Sequence, residues 1–162
     1  MENKTCYEDN KMGDEALIIN KKEEIEVLKE IQKNTEMVMK AIDTISTKVY
    51  DDGLALQLSR QALKYSDIHN RAVDKLLEKK TMPNPINNVQ DMMLVGGIHM
   101  SSLLDTSTSH MAELAIREIH HELSDMWKTM NHYGSIGNAS QEIAEELMDF
   151  DEKNIEILKK YL

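Results

Sequence analysis

The chain has 162 residues, a formal net charge of −10 and an apolar share of 41%, in which 12 Met outnumber five Tyr, one Phe and one Trp. That length buries one sizeable core. Six Gly and two Pro are too few turn formers for a β-sandwich or barrel, and the wealth of Met, Leu, Ile, Glu and Lys favours helix. The acidic balance, with no block of five like charges, argues against binding a nucleic-acid backbone.

Residues 1–15 are acidic and polar, unlike a signal or transit peptide, and no run approaches the ~18 consecutive apolar residues of a membrane span. The lone Cys6 can form neither an internal disulfide nor a cysteine zinc site. The expectation is a cytoplasmic protein with no membrane and no nucleic-acid partner. A mobile polar tail over 1–13 precedes a single domain over 14–162.

Between Asp14 and Val49 the apolar residues Val27, Ile31, Val38, Ile42, Ile45 and Val49 recur at helical spacing, with Thr35 filling one step. Asp51, Asp52 and Gly53 then supply a cap and a turn, so a first helix is predicted over about 14–49. A second, over about 54–80, carries Leu54, Leu58, Ala62, Tyr65, Ile68, Ala72, Val73 and Leu76 on one face. Leu56 and Leu63 point away from that stripe, with Leu77 at its margin. Pro83 and Pro85 are a firm stop. The segment 88–104 is apolar and Met-rich (Met92, Met93, Met100), although Gly96–Gly97 and Ser101–Ser102 weaken a helical reading.

Residues 105–109 are N-capping types and open a third helix to about 133. Its inward residues are Ala112, Ile116, Ile119, Leu123, Met126 and Met130, and Gly134 and Gly137 end it. Asn138 and Gln141 have the spacing of a capping box for a fourth helix, over about 139–161, which buries Ile143, Ala144, Leu147, Ile155, Leu158 and Tyr161.

Helices about 35–50 Å long, each with one apolar stripe, must cover one another, and a four-helix bundle does so. Topology turns on 81–107. An up-down bundle needs only about two to eight residues there. This segment can instead run the length of the bundle and start the third helix at the opposite end. A partly helical crossover between helices two and three is therefore the expected arrangement, and one long kinked helix is the alternative.

Ile98–Glu113, which includes the motif Asp105–Glu113, and the C-terminal Glu152–Leu162 carry a resemblance. Over about 85–162 the chain is similar to small bacterial proteins of the ferritin-like, rubrerythrin-related superfamily. The resemblance implies a ferritin-like four-helix bundle and brings no established activity. His120 and His121 stand outside the pattern, so a site that used them would be particular to this chain.

Carboxylate-bridged di-iron chemistry needs a Glu from each of two helices and Glu-x-x-His from each of the other two. The last helix has no His, and Ser66 stands three residues before His69. Glu118 and His121 have the right spacing, but His121 falls nearly opposite the Ile119/Leu123 stripe. Glu24, the inward acid of the first helix, falls about 13 Å along the axis from His69. The ordinary ligand set is absent.

A different polar layer follows from register. Folding the first hairpin near residue 51 sets His69 level with residue 33. Folding the second near 136 sets Asp151 level with 121, and the crossover aligns 120 with 65. His69, His120, Glu122 and Asp151 then share a mid-bundle level with Thr35, Tyr65 and Asn154. One reading is a hydrogen-bonded His–Asp cluster that fixes helix register. The other is a single divalent transition metal held by His69, His120, Glu122 and Asp151, with Tyr65 and Asn154 behind them.

The methionines, among them Met92, Met93, Met126 and Met130, read as core filler where Phe is missing, in preference to Cu(I) ligands. His110, Glu113 and Arg117 read as a solvated face. No nucleophile–base pair stands out, and Gly96–Gly97 lacks the Lys-Ser/Thr of a phosphate loop. The expected function is accordingly non-catalytic, through an unidentified protein partner or through homodimerisation, with no cofactor. Leu56 and Leu63 would meet either residues 86–104 or a second copy. The alternatives are a metal-binding protein or oxidoreductase using the mid-bundle layer, and a Met-lined small-ligand pocket.

Overall fold

The computed structural model describes residues 5–85, 88–133 and 136–162, with side chains from Ile18 onward, Ile19 and Asn88 excepted. The described residues form α1 (Thr5–Ser46), α2 (Asp52–Glu78), α3 (Asn88–Ser102), α4 (Thr108–His132) and α5 (Asn138–Leu158), followed by a 3-10 turn over Lys159–Tyr161. They contain no strand, so the chain is all-α. Helix α1 reaches back past Asp14 to Thr5, and residues 1–4 of the expected tail lie outside the described residues. None of these helices is long and apolar enough to cross a membrane.

Local chemistry accounts for both ends of α2 and for the start of α4. Asp51 caps α2 by accepting the Leu54 N–H at 2.7 Å. Ser107 caps α4 by accepting from the His110 N–H at 3.2 Å, and Asp105 in turn accepts from the Ser107 N–H at 2.7 Å. Helix α2 closes through Lys80, whose φ of 57° lies in the left-handed region usually left to Gly. Its N–H bonds the Leu77 carbonyl at 2.9 Å, and Thr81 N–H bonds that of Leu76 at 2.9 Å. The start of α5 corrects the capping-box expectation. Gly137 is the N-cap and offers no side chain. Gln141 Nε2 bonds Glu145 at 2.7 Å, and Ser140 Oγ donates to Glu24 at 2.7 Å. Gly134 lies outside the described residues.

Side-chain pairs set the directions of the helices. Thr35 meets His69 and Glu24 meets Lys79, so α1 and α2 are antiparallel. Lys40 bonds Asp91 and Lys48 bonds Ser102, so α3 climbs alongside α1 in the same direction. Asn34 bonds the Glu122 carbonyl and Lys33 faces Asp125. Helix α4 therefore descends antiparallel to α1 and parallel to α2. The segment between α2 and α4 returns along the bundle, and a single kinked helix does not form.

Helix α1 is the hub, packing on α2, α4, α3 and α5. That is why Leu28, Gln32, Asn34, Ala41 and Thr44 are buried on it beyond the predicted stripe. Apart from Val73, the predicted inward residues of α2, α4 and α5 are buried or partly buried against the same core. Two expectations change. Met92, Met93 and Met100 are not core residues but 75%, 75% and 69% exposed, whereas Met126 is buried. Leu56 and Leu63 are not covered by α3, which packs on α1 and α4 and leaves these leucines exposed on α2.

Candidate functional site

Three of the seven residues of the predicted mid-bundle layer, Tyr65, Asp151 and Asn154, come together. Tyr65 is buried on α2, and its hydroxyl donates to Asp151 Oδ1 on α5 at 2.6 Å while accepting from Asn154 Nδ2 at 3.2 Å. Phe150 packs edge-on against the Tyr65 ring, with centroids 5.0 Å apart. Burial pushes the Asp151 carboxyl up to about 7, with the Tyr65 hydrogen bond opposing and the Glu122 charge adding to the rise. Burial, then the charge of Asp151, raises Tyr65 well above the ordinary phenol. This is a Tyr–Asp–Asn cluster that fixes α5 against α2, since a slip by either helix would strand three buried polar groups.

The histidines are elsewhere. His69 Nδ1 lies 3.1 Å from Thr35 Oγ1, and its Nε2 lies 3.8 Å from Glu36. The Thr35 hydroxyl already donates to the Ile31 carbonyl at 2.8 Å, so the His69 N–H is the donor in that contact. His120 is exposed. Among the described residues, His69, His120, Glu122 and Asp151 are therefore not brought together into one group of ligands. The reason lies in helix geometry. Two positions apart, His120 and Glu122 point about 160° away from each other, so one core cannot take both. Nor does a ferritin-type di-iron set fit. The cluster on α5 has no histidine beside it, and His121 is 67% exposed.

Glu122 belongs to a second polar site. It is buried on α4, with burial raising its carboxyl against the opposing His121 contact. With Lys33, Gln90, Gly97, His121 and Asp125 it lines a cleft of about 500 Å³ between α3, α1 and α4. Among the described residues, His121, Glu122 and Asp125 form the one group of His, Cys, Asp and Glu able to converge on an ion, each with a ligand atom within 4.8 Å of the others. The i, i+1, i+4 spacing was visible in the sequence. The wall contributed by α3, which turns a solvent-facing edge into a cleft, was not.

The third feature is α3 itself. Leu94, Val95, Ile98 and Ser102 face the bundle, and of these Ile98 and Ser102 are fully buried. Met92, Met93, Gly96, Gly97 and Met100 occupy about 140° of the opposite surface. Its ionised residue, Asp91, is held by Lys40 at 2.6 Å. No family model, curated protein or solved structure matches this chain.

Proposed function

We propose that this protein is a non-catalytic helical bundle that works by self-association, setting α3 against α3 of a second copy about a twofold axis. The observation behind this reading is the outward face of α3. Its inner face already covers α1 and α4, and Met92, Met93 and Met100 stay largely exposed, Met93 at the edge of the cleft that holds Glu122. Leu103 and Leu104 extend the same apolar surface into the following turn.

The order of residues favours a second copy as the occupant. Antiparallel pairing centred between Gly96 and Gly97 sets Met93 against Met100 and residue 89 against Leu104, an isologous arrangement. The two glycines allow the backbones to approach closely, because nothing within 4 Å occupies the space above either one. Charge points the same way. Two chains of net −10 repel over most of their surfaces, and the α3 face opposes no like charges when it meets its own copy. In this reading the bundle is ferritin-like in plan, with α3 as its crossover, and has left the di-iron chemistry behind.

Sedimentation of the purified full chain tests the proposal. The expected species is a dimer that Met93→Lys and Met100→Lys convert to monomer with helicity unchanged. A second variant separates interface from fold. Gly96→Ala with Gly97→Ala should stabilise the monomer's helix by about 0.5–1 kcal/mol per site while weakening the dimer. A chain that stays monomeric at all concentrations, or a dimer indifferent to both sets of substitutions, refutes the reading.

A further inference from the structure

An acidic group beside a histidine is common on helix surfaces, and what distinguishes this one is the state of Glu122. Its side chain is 4% exposed. Oε1 lies 3.1 Å from His121 Nδ1, while the buried Oε2 has no hydrogen-bond partner. Asn34 sits next to it, donating Nδ2 to the Glu122 carbonyl at 3.1 Å, and the Asn34 Oδ1 is also buried without a partner. Buried acceptors without donors are costly and rare in folded proteins. Two of them occur around one residue, at the wall of a cleft that also holds an imidazole and a second carboxylate.

A cation satisfies acceptors while bringing none of its own. We propose that His121, Glu122 and Asp125 bind a single divalent transition-metal ion in the cleft beneath α3. The mixed imidazole and carboxylate donors suit Zn²⁺, Mn²⁺ or Fe²⁺ better than Mg²⁺ or Ca²⁺, which prefer all-oxygen shells. Three protein ligands leave positions for water or a small anion entering from the open side of the cleft. This site shares only Glu122 with the four ligands expected from the sequence, and all three of its ligands lie on α4, outside the proposed α3 interface.

The neighbouring cations are compatible with the ion. Lys128 holds Asp125 Oδ1 at 2.7 Å but is 71% exposed, so the ion displaces it at little cost. Lys33 lies 3.8 Å from Asp125 and closer, at 3.0 Å, to Glu30, where it remains paired. Arg117 and Glu118 line the outer rim and bond each other at 3.3 Å.

The test is titration of the purified full chain with Co²⁺, followed by its visible absorption, and with Zn²⁺ by calorimetry. One ion per chain is expected. Losing a residue that merely orients a ligand costs about 10–100-fold in affinity. His121→Ala and Asp125→Asn should therefore each weaken binding by about tenfold or more. His120→Ala, one residue away and exposed, should leave binding unchanged. Glu122→Gln should abolish binding. Should that buried substitution fail to fold, the two variants at the rim of the cleft carry the test. Absence of saturable binding by the parent chain, or binding that His121→Ala and Asp125→Asn leave intact, overturns the proposal.

Discussion

Replacing Asp151 with Asn should make the protein more stable at neutral and alkaline pH while changing little in acid. Asp151 is 1% exposed, and its carboxyl is pushed from the ordinary 3.8 up to about 7. The native value lies above the unfolded one, so the folded chain holds the proton more tightly. The resulting stability is fully present below about pH 4, declines as pH rises, and is lost above about pH 7. Roughly three pH units correspond to about 4 kcal/mol. Asn cannot ionise, yet its carbonyl still accepts from the Tyr65 hydroxyl. The difference in urea unfolding free energy between variant and parent should therefore be within about 1 kcal/mol near pH 4 and grow towards about 4 kcal/mol near pH 8. Taking the difference cancels other titrations, such as those of Glu24 and Glu146, whose carboxyls sit below their ordinary values. A difference that stays flat with pH would refute a buried, proton-holding Asp151.

Two further predictions concern helix ends. Lys80→Gly should raise stability by about 1 kcal/mol in thermal or urea unfolding, because φ of 57° strains a residue that carries a Cβ. Gly137→Ala should destabilise by about 1 kcal/mol, since its new Cβ would lie 2.8 Å from Glu24 Oε1 and dislodge the carboxylate bonded to Lys79 and Ser140. In a Glu24→Ala background the same substitution should cost nearly nothing, and a double-mutant cycle measures that coupling.

The polar centre shows how far register arithmetic reaches. A hairpin folded near residue 51 predicts His69 level with residue 33, and the structure pairs it with Thr35. Levels along a helix axis follow from a constant rise, so Tyr65, Glu122, Asp151 and Asn154 are buried in mid-bundle. Azimuth is harder. His120 lies to one side of the α4 stripe and Glu122 to the other, and close packing on α1 selected Glu122. Helical periodicity turns Glu24 inward, but nothing in it points to the partner Lys79. Lys79 lies past the last periodic residue of α2, where hydropathy carries no signal.

The sequence by itself determined the helical class, the inward stripes of four helices and the break at Pro83 and Pro85, because these depend on residues three and four apart. Tertiary structure decided what α3 does. Ile98 docks on the hub helix, so the methionines around Gly96–Gly97 face outward although composition reads them as core. A helix apolar on both sides has no periodicity to orient it, and only its neighbours choose which side is buried. The same docking builds the wall over His121, Glu122 and Asp125 and leaves Glu122 buried with an acceptor unfilled.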